Sequence, residues 1–507
     1  MADVEIDGHS LTIEGAISVA NGNNTAVLAQ SARRRMEESR KGVEQIIDSG
    51  EVVYGINTGF GAMSSVRIAG DDLEQLQTNL IKSHACGVGD FMDPEHVLLM
   101  MVFRANSLAK GVSGIRPKIV DLLLGMVNNG IAPVIPRIGS LGASGDLAPL
   151  SHMSLAILGE GESMVRKESG WVTKSSLDAL HSVGLESTEL AAKEGLSLIN
   201  GTSQMCAYLA LTILNLEKLV FAADSSAATS LEAIKGSHSP FDSRIHDNRP
   251  QIGQSISAAR ISALLKDSKI KLSHVDCNRV QDAYCFRCAP QVHGPVIDLL
   301  TETRRTLKIE INSATDNPLV FVDDEDVDVI SGGNFHGQNL ALASDSIAIA
   351  CHELASISER RINQVLDPKW SGQIPFLAKN EGLESGYMII QYVAAACIAE
   401  LHLLANPVTT SNVPVSMGKE DHVSMGATGA FRSLQSTELL SQVLANELIC
   451  ATEALDRIPH KPGQGVAGIH HWVRKYVGQY NGDTVMSEEC TTLSNQLLDD
   501  SLQEIFG

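Results

Sequence analysis

The spacing of apolar positions changes character near residue 196. Before it, short apolar runs such as "LTIEGAISVA" (residues 11–20) and "EVVYGINTGFGAMSS" (51–65) stand among glycine-rich loops and predict short extended pieces between helices. After it, apolar residues recur at helical spacing over long stretches. "LALASDSIAIACHELASISERRINQVLD" from Leu340 and "STELLSQVLANELICATEALD" from Ser436 each run several turns without Pro or Gly. Most of their faces are apolar or small, which predicts packing inside a large bundle or across a subunit interface. A further run, "MCAYLALTILNLEKLVFAAD" from Met205, is interrupted by Asn215, Glu217 and Lys218 short of membrane-spanning length and reads as a buried helix. The expectation is a mainly α chain, with a smaller mixed region over residues 1–195 and a long-helix bundle over 196–507. No fixed-period repeat or low-complexity tract argues for a solenoid or a linker.

Composition narrows the choice. A chain of 507 residues with 44% apolar content buries a sizeable core, and 4% aromatic content lets helices approach closely. With 39 basic against 60 acidic residues, the net charge of -21 disfavours nucleic acid or an anionic membrane as partner and leaves small molecules open. The start, "MADVEIDGHSLTIEG", is acidic where a signal peptide is basic and no apolar run follows, so a cytoplasmic protein is expected. Nine cysteines, an odd number, fit free thiols better than a disulfide frame. Cys285 and Cys288 form a CxxC with Cys277 nearby, but no second CxxC supplies further ligands, so no metal is expected.

The chemistry is concentrated in "GASGD" at residues 142–146. A backbone amide can attack the carbonyl two residues earlier where the chain bends sharply and the attacking residue is unhindered, as Gly145 is. Loss of the Ser144 hydroxyl as water then leaves an exocyclic methylidene conjugated to carbonyl-type groups, a strong electrophile made from backbone. Taken alone, the five residues read as a helix-start loop capped by Asp146.

Seven blocks in order decide between these readings. "YGINTGFG" at Tyr54, "GSLGASGDLAPLSHM" at Gly139, "LINGTS" at Leu198, "QDAYCFRC" at Gln281, "NSATDNPL" at Asn312, "GGNFHGQ" at Gly332 and "EDHVSMGATG" at Glu420 resemble the aromatic amino acid ammonia-lyase and aminomutase family, in its shorter bacterial form and closest to the histidine lyases. The resemblance implies the fumarase/aspartase-like fold. It implies a 4-methylideneimidazole-5-one ring (MIO) made from Ala143, Ser144 and Gly145. It also implies a homotetramer whose active sites are shared between subunits. By the same resemblance Tyr54 is the base, on a loop whose glycines Gly55, Gly59 and Gly61 let it close. Arg287 pairs with the substrate carboxylate. Asn200 and Tyr284 lie beside the ring, Gln281 and Asn317 near the amino acid backbone, and Phe335 packs at the ring.

Substrate choice rests on few positions. The pair Ser83-His84 matches histidine lyases, and Glu420 stands where a carboxylate accepts an imidazole N–H. Gln338 stands where many histidine lyases have Glu, and "LANPVTT" at Leu404 leans toward phenylalanine lyases. Met417, Gly418 and Lys419 replace the familiar Ala-Asn-Gln, and Lys419 either neutralises Glu420 or points away. The expected reaction is loss of ammonia from L-histidine to give trans-urocanate. The alternatives are a tyrosine or phenylalanine lyase, a 2,3-aminomutase, or a catalytically silent oligomeric scaffold.

Overall fold

Two compact units are built from interleaved parts of the chain, in a computed structural model that describes residues 2–59, 67–275, 280–323 and 326–506. The first unit is Met1–Ala210 with Arg305–Ser344 and Val408–Phe431. It therefore gathers two later stretches that a boundary at residue 195 leaves out. The second is Leu211–Arg304, Asp345–Pro407 and Arg432–Gly507.

The first unit is mixed, as expected, but its opening differs from the expectation. Strand Asp3–Ile6 pairs in parallel with Thr25–Leu28, and "LTIEGAISVA" between them is not extended: Ile13–Ala20 is a helix. Its start is set by Thr12, whose side chain accepts from the Gly15 amide at 3.0 Å, and Ile13, Ala16, Val19 and Ala20 are buried at helical spacing. The described part of residues 51–65 is turn and loop rather than strand, with one bridge from Thr58 to Arg67. Phe60 and Gly61 of the "YGINTGFG" block lie outside the described residues.

Helix Pro94–Leu108 runs through the middle of this unit, every residue from Val97 to Leu108 buried. Around it lie a three-stranded antiparallel sheet of Ile131–Pro133, Glu162–Lys167 and Gly170–Ser175, and the pair Val88–Phe91 with Pro136–Ile138. A hairpin of Leu319–Asp323 and Asp326–Ile330 packs Val320 against Val43, Ile46 and Ile56, which anchors the turn carrying Tyr54.

The second unit has helices and loops but no named strand among its described residues. Gln338–Leu366 and Gly426–Asp456 match the two predicted long helices, the latter beginning ten residues before Ser436. Helix Ser203–Ala233 continues unbroken through Asn215, Glu217 and Lys218. The polar residues thus do not interrupt it; Asn215 instead donates to Thr437 at 3.1 Å, and Thr212 meets Ser433 at 3.1 Å. Among the described residues three helices, Ser203–Ala233, Gln338–Leu366 and one over Met388–Thr410, are long and apolar enough by length and composition to cross a membrane; the first two are mostly buried within the protein.

Candidate active site

The "GASGD" loop joins strand Pro136–Ile138 to helix Leu147–Ile157. Gly142 and Gly145 take φ of +65° and +74°, so the chain bends on both sides of Ala143 and Ser144. Neither glycine has room for a side chain. A Cβ on Gly142 would strike the Ser424 hydroxyl, and one on Gly145 would strike the Gly201 backbone. Ala143 is buried, and the Asn200 side-chain amide donates to the Ser144 carbonyl at 2.8 Å. The Oδ1 of Asn200 is buried without a hydrogen-bond partner.

Asp146 occupies the N-cap position of Leu147–Ile157, yet its carboxylate makes no bond to that helix. It accepts from Gln204 N at 2.8 Å and Met205 N at 3.2 Å, the first turn of Ser203–Ala233, and from the Ser140 hydroxyl at 2.8 Å. The carboxylate therefore caps a different helix from the one the sequence suggests. Full burial pushes its pKa up to about 6 against the pull of those three donors.

Two distant blocks are pinned to the same loop. Ser424 Oγ donates to the Gly142 carbonyl at 2.9 Å, and Gly337 N donates to it at 3.2 Å. His336 and His422 stack with ring centroids 5.6 Å apart, joining "GGNFHGQ" to "EDHVSMG". Phe335 is half-buried in this stretch, and Gln338 opens helix Gln338–Leu366 with its Oε1 buried and unpartnered.

His84 ends helix Leu73–His84, with Nδ1 2.9 Å from the Leu80 carbonyl. That contact places the proton on Nδ1 and leaves the Nε2 lone pair available. Burial lowers the His84 pKa, while the Leu80 carbonyl and the nearby Glu420 carboxylate act to raise it. Ser83 bonds back to Leu80 O at 3.0 Å. Glu420 is half-buried at the base of a tight loop in which Ser416, Met417 and Gly418 all have positive φ; Met417 is 92% exposed and Lys419 also lies on this outer tip.

Tyr54 is half-buried in its turn. Gly55, at φ +79°, places its missing Cβ 2.7 Å from Pro318 Cδ, so the turn presses on the Asn317-Pro318 segment. Asn317 Oδ1 accepts from Gly332 N at 2.6 Å and Ser331 Oγ at 3.2 Å. Tyr54, His84, Ala143, Ser144, Gly145, Asn200, Asn317, Phe335, Gln338 and Glu420 thus belong to the first unit, whereas Gln281, Tyr284 and Arg287 belong to the second.

In the second unit Tyr284–Arg287 is one helical turn, its Tyr284 ring 70% exposed and the Arg287 guanidinium 4.5 Å from the ring centroid. Gln281 is exposed, and Arg287 Nε is buried without a partner. Cys285 faces inward, its thiol pushed up to about 11 by burial; Cys277 lies outside the described residues. Among the described residues no group of three or more His, Cys, Asp or Glu is placed to hold a metal.

Each unit also buries charged side chains that no sequence motif singles out. Arg104, Lys193 and Asp316 are fully buried in the first unit, with Lys193 Nζ 2.8 Å from Asp316 Oδ2. In the second, Arg361 is fully buried against Glu447 and reaches the Cys285 carbonyl at 3.3 Å. An arginine inside the apolar run "LLMMVFRANSLA" is the signal that points to Arg104.

The chain is similar to known proteins over almost its whole length. The family model described as aromatic amino acid lyase matches residues 11–475. The chain is 45% identical to the histidine ammonia-lyase of Myxococcus xanthus over 97% of its own length and 96% of that protein. Among solved structures, histidine ammonia-lyase from Trypanosoma cruzi aligns with a TM-score of 0.90 at 36% identity, covering 99% of this chain and 94% of that one. Tyrosine aminomutase from Streptomyces globisporus aligns with a TM-score of 0.92 at 34% identity, covering 100% and 98%. Sequence, fold and the order of the blocks converge on one assignment: the chain belongs to the aromatic amino acid lyase family.

Proposed function

We propose that this protein is a histidine ammonia-lyase, a carbon–nitrogen lyase that releases ammonia from L-histidine to give trans-urocanate. The observation that carries the substrate is that His84 and Glu420, close enough for the carboxylate to act on the imidazole, lie in the unit that holds the Ala143-Ser144-Gly145 loop. A carboxylate accepts an imidazole N–H, and a neutral His84 offers a second polar contact; both are costly beside a bare phenyl ring. The relatives named histidine ammonia-lyase support the same choice.

The loop suits the MIO group. Gly145 offers an unhindered amide, the two positive-φ glycines bend the chain around Ala143 and Ser144, and Asn200 donates to the Ser144 carbonyl. Once formed, the ring supplies an electrophile for the departing amine. The remaining work falls to side chains. Arg287 holds the substrate carboxylate with its planar fork. The Tyr54 phenolate oxygen takes the β-proton. Asn317 and Gln281 orient the amino acid backbone, and Phe335 and Tyr284 wall the ring.

We also propose that the protein works as a homotetramer with active sites built from more than one chain. Helix Met388–Leu404 supports this with a largely exposed apolar face, including Ile389, Tyr392, Val393 and Leu403, to which Leu342 and Ile349 add exposed apolar surface on Gln338–Leu366.

The test is an ultraviolet assay with L-histidine, L-tyrosine and L-phenylalanine in parallel, with product analysis. Urocanate and ammonia from histidine alone are expected. Turnover of tyrosine or phenylalanine instead would overturn the imidazole assignment and shift the weight to Gln338 and Lys419. A β-amino acid product would make the enzyme an aminomutase. Absence of both turnover and the ring's near-ultraviolet band would leave a silent scaffold.

A further inference from the structure

We infer that Arg104 is a positioning residue for the reaction, fixing the Asn200-Gly201 backbone so that the Asn200 amide grips the Ser144 carbonyl. This rests on the reading that Ala143-Ser144-Gly145 cyclises.

Arg104 is fully buried within helix Pro94–Leu108. Its guanidinium spans the carbonyls that end helix Glu194–Ile199, donating from Nη1 to Asn200 O at 3.0 Å and from Nη2 to Ser197 O at 2.7 Å. A single fork therefore holds the C-terminal turn of the helix that delivers Asn200. The adjoining Gly201 is wedged between this fork and the loop. A Cβ there would collide with Arg104 Nη1, while its carbonyl accepts from Asp146 N at 2.7 Å. Guanidinium, Asn200-Gly201 and the bend at Ser144-Gly145 are thus in direct succession, each in contact with the next.

A buried cation needs compensation, and the surroundings supply it. Asp316 and Asp146 both act on Arg104, and burial still pushes its pKa down to about 10, so it stays charged at neutral pH. Asp316 also pairs with Lys193, whose Nζ donates to Ser197 Oγ at 3.0 Å. Asp316 Oδ1 accepts from Asn317 N at 2.7 Å. The cluster thus ties the residue that meets the prosthetic loop to the one assigned to the substrate backbone. A donor held in place in advance is worth more to a developing negative charge than one that must reorganise.

Ring closure balances as follows. The Gly145 nitrogen bonds to the Ala143 carbonyl carbon and one water leaves; the Ser144 Cα proton and hydroxyl leave as a second. Cyclised protein is therefore lighter by two waters. The experiment compares wild type with Arg104→Lys, which keeps the charge but cannot span both carbonyls. Intact mass, the near-ultraviolet band, kcat and KM are measured on folded protein. In the variant we expect the cyclised fraction to fall, or kcat per ring to fall by about ten-fold or more with KM nearly unchanged. In an Asn200→Ala background the same substitution should have little further effect, because the two residues act in series.

Full cyclisation with unchanged kcat in Arg104→Lys would overturn the inference, as would additive effects in the double variant. Should Arg104→Lys not fold, Arg104→Gln takes its place, and failure of both to fold would assign Arg104 to stability alone. Wild-type protein that has lost no water would instead overturn the cyclisation reading, which separates the two failures.

Discussion

At the scale of single residues, the loop at Ser144 makes the sharpest demand. Ser144→Ala has no hydroxyl to lose, so kcat should fall by about three orders of magnitude or more while the circular dichroism of the folded protein stays unchanged. Full activity in that variant would remove the proposed electrophile. Glu420→Gln should lower histidine turnover about ten-fold or more by weakening acceptance of the imidazole N–H, and an unchanged kcat/KM would dismiss the contact. Asp146 gives a test of stability rather than rate. Its folded pKa of about 6 lies above the ordinary 3.8, so the folded state holds the proton more tightly. That advantage is full below pH 3.8 and is lost as pH rises through about 6, at a cost of about 3 kcal/mol. Urea unfolding from about pH 4 to pH 7 should therefore show wild type losing ground to Asp146→Asn; a constant difference would contradict it. Ser144, Tyr54 and Glu420 could be singled out in the sequence because the blocks that carry them resemble the family's, and their roles are proposals that variants such as these test. Arg104 and Lys193 could not be, because their partners lie 96 and 123 positions away and no local spacing records the meeting.

At the scale of elements, the second unit hangs together through polar groups set inside its longest helices. Glu447, on Gly426–Asp456, accepts from Arg361 and Ser358 of Gln338–Leu366, the latter at 2.6 Å, and from Ser230 of Ser203–Ala233 at 2.7 Å. Glu447→Gln leaves Arg361 buried without its counter-charge and should cost about 3–5 kcal/mol, read as a lower midpoint in denaturant. Because Arg361 also holds the Cys285 carbonyl, the same variant should raise KM through the turn that carries Tyr284 and Arg287. An unchanged midpoint would show the pair to be dispensable. The long helices were readable from apolar spacing alone, since burial on most faces leaves a plain signature. The opening segment was not: its isoleucines and valine suit a strand, and only the Thr12 side chain, turned back onto Gly15, shows that a helix starts there.

For the whole molecule, an apolar helix face as exposed as that of Met388–Leu404 needs a cover. Ile389→Glu with Val393→Glu should dissociate the proposed tetramer, seen by sedimentation, and abolish turnover with it; an active monomer would overturn the shared-site proposal. Arg305–Ser344 and Val408–Phe431 return to the first unit after long excursions that chain order does not announce. That return carries a consequence for the order of events during synthesis. The carbonyl of Gly142 is gripped by a serine 282 positions further along the chain, and by Gly337 on the way. A ribosome therefore releases the loop long before it releases the residues that hold its bend. On the cyclisation reading, the growing chain carries an ordinary serine, harmless to the thiols and amines around it, and becomes reactive only when the protein that encloses it is nearly complete.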